Sequence, residues 1–169
     1  MSCALGTGSA AAGSGGCARA SAIADKSTRR QAVSAVLCVV NGERMARGLS
    51  PVHGSRALTR SARAQSRDMV RRRYFAHDRP GGRTLRQRVV RSGYLYRRPA
   101  GKVGETIVWG TRGFATPAQL VSSLLQSPGH RAILLDPSYR HIGIGLVLAA
   151  PVAAVLPNSA TLTLVLGHR

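Results

Sequence analysis

Three short segments carry side chains that could bind a metal ion or transfer a proton. They are Tyr74-Phe75-Ala76-His77, Gly104-Glu105-Thr106-Ile107 and Ser127-Pro128-Gly129-His130-Arg131. Neutral imidazoles are good zinc ligands, and a carboxylate beside one of them can accept its ring proton and orient it. His77, Glu105 and His130 are spread over about fifty residues, too far apart to meet on one helix. We therefore expect a site only if the fold returns distant parts of the chain to one pocket.

The residues alone leave two interpretations of this set open. In the first, His77 and His130 are zinc ligands that leave coordination positions for water or substrate, and binding is weak because a third protein donor is missing. In the second, both histidines are polar cleft residues hydrogen-bonded to Glu105, which hold loops together and bind metal only adventitiously. The other histidines of the chain are not expected to be ligands.

The composition is typical of one globular domain with a large excess of arginine. Of the 169 residues, 44% are hydrophobic and only 4% aromatic, so the core must consist mainly of Leu, Val, Ile and Ala. The net charge of +19 would attract phosphate, anionic lipid or acidic polymers without any specific site. A coding bias toward arginine would produce the same scattered charge. Specific nucleic-acid binding is not expected, because no recognition-helix motif or aromatic stacking platform is present.

The cysteines and the apolar segments indicate in which cellular compartment the protein could function. No CxxC pair is present, so a cysteine–zinc module is not expected. Cys17 and Cys38 could form a disulfide in an oxidising compartment, and free buried thiols are the alternative. The longest apolar stretch, residues 142–156, contains Pro151 and is shorter than the roughly 20 residues that cross a bilayer. Residues 1–24 lack the basic start and strong apolar segment of a clear secretory signal.

The hydrophobic pattern predicts a helix-rich chain that closes with two strands. Residues 1–30, rich in Ala, Gly and Ser, are expected to be a flexible lead-in, and residues 31–169 a single domain. Helices are predicted over residues 31–48, 55–73, 84–93, 117–126 and 130–135, and extended segments over 103–109, 142–149 and 161–166. Strands near the end of a helix-rich chain favour an α+β sandwich over an alternating parallel sheet.

Two further features are interpreted as structural. Glu43 and Arg44 on the first predicted helix, with Asp68 on the second, are interpreted as polar contacts between helices. Gly143 and Gly145 in the first C-terminal strand would permit close backbone packing and need no ligand.

The motifs occur in an order that matches a known family. They are Asn41-Gly42-Glu43-Arg44, Gly48-Leu49-Ser50-Pro51, Tyr74-Phe75-Ala76-His77, Gly93-Tyr94, Gly104-Glu105-Thr106-Ile107, Ser127-Pro128-Gly129-His130-Arg131, Asp136-Pro137-Ser138-Tyr139-Arg140 and Gly143-Ile144-Gly145. Over roughly residues 33–169 the chain resembles the bacterial branch of the CAP superfamily, the SCP-like domains related to cysteine-rich secretory proteins, antigen 5 and plant pathogenesis-related proteins of class one. The resemblance implies a three-layer α-β-α sandwich, usually secreted, with a shallow central cleft.

The resemblance also assigns roles to individual residues. His77 corresponds to the first cleft histidine, Glu105 to the first acidic residue and His130 to the second histidine, and the histidines of many members bind zinc or another divalent ion. The family's second acid normally lies on the helix before the last histidine, near a tryptophan. Residues 121–126 contain neither, and Thr106 stands where an asparagine usually follows the glutamate. The full set of four cleft residues is therefore not present.

The function expected from these features is binding more than catalysis. The domain should be secreted or envelope-associated and monomeric, with a cleft that takes a divalent ion, a small ligand or an envelope polymer. A metal-assisted hydrolase in the same cleft, with Glu105 as base toward a metal-bound water, is the first alternative. Salt-sensitive, sequence-blind adhesion to anionic polymers or lipid is the second.

Overall fold

A four-stranded sheet forms the middle layer of the molecule. The computed structural model describes residues 16–79, 81–96, 100–154 and 156–169. The strands β1 (His53–Gly54), β2 (Lys102–Thr111), β3 (His141–Val147) and β4 (Ser159–His168) have the spatial order β1-β3-β4-β2. Strand β1 pairs parallel with β3, whereas β2 and β3 both pair antiparallel with β4. The two-residue strand β1 was missed by the prediction because it is too short to show a hydrophobic pattern.

Helices cover both faces of this sheet. On one face lie α1 (Arg29–Met45), α4 (Pro117–Gln126) and α5 (Pro128–Leu134), and on the other α2 (Arg56–Arg72) and α3 (Leu85–Arg91). Within the described residues, no helix combines the length and the apolar character that crossing a bilayer requires. The architecture is a three-layer α-β-α sandwich, as the resemblance implied.

Strand β4 is buried on both faces, although threonines alternate with leucines along part of it. Leu162, Leu164 and Leu166 pack in the core beneath α1, α4 and α5, while Val165 packs in the smaller core beneath α2 and α3. Successive side chains of a strand point to opposite faces, so the buried threonines Thr161 and Thr163 share the face opposite the leucines. The hydroxyl oxygen of Thr163 lies there 2.7 Å from that of Ser66 on α2.

The glycines of β3 allow α2 to lie directly on the sheet. A Cβ atom at Gly143 would be 2.1 Å from the carbonyl carbon of Leu58, and one at Gly145 would be 2.3 Å from that of Ala62. Real Cβ atoms do not approach backbone so closely, so any side chain would push α2 away from β3. This agrees with the predicted close backbone packing.

Helix ends follow local sequence signals, with one exception. The hydroxyls of Thr84 and Thr116 accept backbone N–H groups at the starts of α3 and α4, as expected for N-cap residues. The predicted start of the last helix at residue 130, however, is wrong: Pro128 is the first residue of α5. Proline is favoured there because its missing N–H would have no partner in the first turn of a helix.

The segment ahead of α1 is attached to the domain. A disulfide joins Cys17 to Cys38, one of the two states that the sequence left open. Ala20 is buried, and its carbonyl accepts a 2.9 Å hydrogen bond from the N–H of Ala118 at the start of α4. Residues 1–15 of the predicted lead-in lie outside the described residues. Packing onto the domain thus begins before the predicted boundary at residue 31.

Loss of this disulfide should lower the free energy of unfolding by about 3 kcal/mol. The bond links residues 21 positions apart, and the loss of chain entropy in the unfolded state is of this size for such a loop. Urea unfolding of a Cys17→Ala/Cys38→Ala variant measures the effect. Reductant should destabilise the wild-type chain by the same amount and leave the variant unchanged. A reductant effect of equal size on both proteins would contradict the prediction.

Arg44 links α1 to the segment after α5. Its side chain is fully buried, and the guanidinium donates to the carbonyl oxygens of Ser50 at 3.0 Å, Leu134 at 2.6 Å and Asp136 at 3.1 Å. Burial is the main cause that lowers the Arg44 pKa from its ordinary value, although a guanidinium remains charged in proteins. Arg44 is therefore a structural cation that ties two distant segments together.

The predicted polar contact between the first two helices is wrong. Asp68 pairs with Arg72 one turn along α2, at 2.9 Å, and accepts a hydrogen bond from Tyr74 just beyond that helix. Glu43 pairs with Arg47, also one turn away, at 2.6 Å. Helices α1 and α2 lie on opposite faces of the sheet, so Glu43 and Asp68 form local pairs, and Arg44 binds carbonyl oxygens instead.

Candidate functional site

The fold brings the three candidate side chains together. His77 lies in the loop after α2, Glu105 on β2 and His130 in the first turn of α5. Nδ1 of His77 is 3.0 Å from Oε1 of Glu105, and the ring centroids of His77 and His130 are 5.9 Å apart with an interplanar angle of 56°. A loop, a strand and a helix from three parts of the chain thus contribute one residue each.

Gln65 holds the loop that carries His77. It lies on the otherwise apolar face of α2, is buried, and donates from Nε2 to the carbonyl oxygens of Ala76 at 2.9 Å and His77 at 3.0 Å. The sequence analysis placed Gln65 only within the helix predicted over residues 55–73. An amide side chain among apolar positions was the one signal in the sequence that this residue is buried and forms hydrogen bonds there.

Glu105 is paired with an arginine that sequence analysis missed. Its side chain is 2% exposed, and Nη2 of Arg88 donates to its two carboxylate oxygens at 2.9 and 2.7 Å. Arg88 comes from α3 and is itself only 11% exposed. Local sequence could not distinguish Arg88 from the other arginines of α3, because its partner is decided by how α3 packs against β2.

The contact with Glu105 determines which nitrogen of His77 is available. An ionised carboxylate can only accept, so a neutral His77 must donate from Nδ1 and keep the lone pair on Nε2. In metal sites the same arrangement fixes the tautomer and raises the basicity of the imidazole. His77 can therefore act through Nε2, whereas Glu105 is engaged by both Arg88 and His77 and acts as a positioning group.

The surroundings of His130 favour its neutral form over the protonated form. Burial first, and the nearby His77 second, lower the pKa of His130 below its ordinary value of 6.5. The neutral imidazole is the form that binds metals, so the surroundings favour a ligand role. Because the folded chain releases this proton more readily than the unfolded chain, protonation of His130 opposes folding as the pH falls below about 6.5.

The site offers two imidazoles without a third protein ligand. In the part of the chain that the structure describes, no group of three or more His, Cys, Asp or Glu side chains is arranged to hold a metal. The carboxylate of Glu105 already accepts hydrogen bonds from Arg88, and α4 contains no carboxylate at the place of the family's second acid. Such a donor set fits an exchangeable divalent ion whose remaining ligands are water or substrate, and it does not fit a closed structural zinc site.

The other histidines lie away from this set. His141 pairs with His53 across β3 and β1, and its Nδ1 is 2.8 Å from the hydroxyl oxygen of Tyr94. Burial, followed by the charge of Arg169, lowers the pKa of His141 from its ordinary value. His53 and His168 are exposed. These positions agree with the expectation that none of the three joins His77 and His130.

The fold and the site together define a class of protein: a three-layer α-β-α domain with a pair of histidines beside a buried glutamate. The sequence profile of the cysteine-rich secretory protein family, the CAP family, matches residues 37–154. This chain therefore belongs to the CAP family, as its motifs indicated.

Relatives from bacteria support this assignment. YkwD of Bacillus subtilis (strain 168) is 35% identical over 112 residues, which are 66% of this chain and 41% of YkwD. The chain thus spans less than half the length of this curated relative.

Three solved bacterial structures share the fold. An extracellular protein containing an SCP domain from Bacillus anthracis str. Ames has a TM-score of 0.66 at 21% identity, over 86% of this chain and 44% of its own. An outer surface protein of Borrelia burgdorferi has a TM-score of 0.63 at 18% identity, and the match covers 79% of this chain and 90% of that protein. A cysteine-rich secretory protein of Staphylococcus aureus subsp. aureus Mu50 has a TM-score of 0.60 at 17% identity, and the match covers 83% of this chain and 39% of that protein.

Proposed function

We propose that this chain is an extracytoplasmic CAP domain that acts by binding, with His77 and His130 as a weak, exchangeable site for a divalent ion such as zinc. The observation that carries the proposal is the 5.9 Å separation of the two rings, with His77 oriented through Nδ1 by Glu105. Two histidine ligands leave several coordination positions open, so a small ligand or a group on an envelope polymer could complete the site.

The location outside the cytoplasm is supported by two independent observations. The structural relatives are described as an extracellular protein, an outer surface protein and a cysteine-rich secretory protein. The disulfide between Cys17 and Cys38 is of the kind that persists in oxidising compartments and is rare where thiols are kept reduced.

Binding is better supported than metal-assisted hydrolysis. A general base needs a carboxylate that can reach a water or a substrate proton. Glu105 is almost fully buried, and its oxygens already accept hydrogen bonds from Arg88. These hydrogen bonds favour a role for Glu105 in positioning His77. The hydrolase alternative would instead require Glu105 to act as a general base.

Calorimetric titration of the metal-free chain with zinc tests the proposal. The wild-type protein should release heat, and a His77→Ala/His130→Ala variant should release none above dilution, because both imidazole ligands are gone. His53→Ala/His168→Ala is the matched control, since it removes two exposed histidines away from the site and should titrate like the wild type. Equal heats from the wild type and the His77→Ala/His130→Ala variant would contradict the proposal.

A Glu105→Gln variant tests the positioning role separately. An amide can still contact His77 but accepts its ring proton less strongly, so zinc affinity should fall by roughly 10–100-fold, the usual effect of losing a group that orients a ligand. If the affinity stays within the error of the wild-type value, Glu105 does not act on the metal site through His77.

A further inference from the structure

An arginine-walled groove lies between α2, the loop that follows it and α3. Its volume is about 860 Å³. Among the described residues that line it, eight are arginines, and Asp68 is the one carboxylate. We call this depression the arginine groove. Neither His77 nor His130 is among its lining residues, and Arg88 is a lining residue that also donates to Glu105.

Several of these arginines are not neutralised by the protein. Within the described residues, Arg67 on α2 and Arg91 on α3 make no ion pair and no side-chain hydrogen bond, and both are exposed. Arg71 has a 3.4 Å contact with Asp68, and its side chain is 74% exposed. Arg67 and Arg71 are one helical turn apart, a spacing at which like charges destabilise a helix. The groove therefore concentrates positive charge at a cost to stability.

The groove also contains polar atoms that the protein leaves without acceptors. Ser61 is 3% exposed, and its Oγ has no hydrogen-bond partner; the same holds for Nε of Arg88. Both residues line the groove. Unpartnered buried donors are rare in proteins and call for an explanation. Oxygen atoms of a bound ligand would accept hydrogen bonds from these two groups once the side chains turn toward the groove.

The chemistry of the groove selects among anions. Arginine presents a planar set of donors that matches phosphate oxygens in pairs, which a point charge such as lysine does not. Among the described residues that line the groove, Tyr74 is the one aromatic, so successive bases would find no series of rings on which to stack. A concave groove also accommodates a chain along its length, whereas a flat bilayer would reach only its rim.

We propose that the arginine groove binds a linear phosphate polymer without bases, held by arginines of α2 and α3 on opposite walls. The polymer is a polyphosphate or phosphodiester chain, and the groove recognises the repeated phosphate charge. This inference does not depend on the histidine site. The His77→Ala/His130→Ala variant is therefore expected to retain polymer binding in full.

Calorimetric titration with inorganic polyphosphate at several salt concentrations tests the inference. The groove variant is Arg67→Gln/Arg91→Gln, and the charge-matched control is Arg47→Gln/Arg131→Gln, two exposed arginines on the α1 and α5 side of the sheet. The groove variant should bind roughly 25-fold more weakly, since each arginine near an anionic surface contributes roughly fivefold. Its slope of log affinity against log salt should be shallower by about 1.4. The control should bind the polymer with nearly the wild-type affinity, because its two arginines lie outside the groove.

The remaining outcomes overturn the inference. Equal losses in the groove variant and the control would mean that diffuse surface charge, and not the groove, binds the polymer. Single-stranded DNA of equal charge binding more tightly than polyphosphate would identify a nucleic-acid surface instead, and tighter binding to anionic vesicles would identify a membrane surface. Thermal unfolding verifies that the variants fold, and the single Arg67→Gln variant, with an expected loss of roughly fivefold, replaces the double variant if it does not.

Discussion

Replacing Arg88 with methionine should lower the free energy of unfolding by about 3–5 kcal/mol. The carboxylate of Glu105 is 2% exposed and takes two hydrogen bonds from Arg88, so the substitution leaves a buried charge whose remaining partner is the half-exposed His77. An unpaired buried charge loses its hydration without compensation, which makes the breaking of such pairs more costly than the loss of a surface ion pair. Urea unfolding followed by circular dichroism measures the difference.

A double-mutant cycle separates the contribution of the Arg88–Glu105 ion pair to the free energy of unfolding from the contribution of side-chain packing. Adding Glu105→Gln to Arg88→Met should restore part of the stability, because the unpaired charge is removed together with its partner. Arg91→Met, an exposed position on the same helix, should change the free energy of unfolding by no more than about 0.5 kcal/mol. An Arg88→Met variant as stable as Arg91→Met would contradict the structural role assigned to this pair.

Replacing Arg44 with methionine should also cost about 3–5 kcal/mol, because each buried carbonyl left without a partner costs about 1–3 kcal/mol. The guanidinium donates to the carbonyl oxygen of Leu134, the last residue of the helix that carries His130, and to that of Asp136 two residues later. Methionine fills a similar space but donates no hydrogen bond. Zinc affinity should fall as well, since the end of α5 loses its attachment to α1.

Arg47→Met is the matched control for Arg44. Arg47 lies just beyond the same helix, is partly exposed and pairs with Glu43 on the surface, so its loss should stay within about 1 kcal/mol. Chemical denaturation of both variants gives the comparison. If both lose the same small amount, the carbonyl oxygens around Arg44 find other donors, and the buried cation is not required for stability.

Much of the secondary structure was predictable because its signals are local. Thr84 and Thr116 each cap a helix through the backbone N–H three residues further on, so nearby residues define these helix starts. The order of the motifs around His77, Glu105 and His130 indicated the family and, through it, the α-β-α sandwich. Gly143 was recognisable as a close-packing position, although its neighbour Leu58 was not.

The partners of the polar residues were not predictable from local sequence. Arg44 and Arg88 are two of many arginines, and one binds carbonyl oxygens about ninety positions away while the other binds Glu105. The prediction that paired Arg44 with the second helix failed because α1 and α2 pack on opposite faces of the sheet. Hydrogen-bond partners of this kind depend on which elements pack together, and many arrangements satisfy the same local pattern.

The sequence by itself determined the helices and most of the strands, the family, the excess of arginine and the identity of the three candidate site residues. These depend on residue type, spacing and total charge, which are the same in every conformation of the chain. Only the tertiary structure decided that Arg88 neutralises Glu105, that His77 is oriented through Nδ1, and that arginines from α2 and α3 face one groove. The physical reason is that pairing, burial and concentration of charge require distances between segments, and those exist only once the chain is folded.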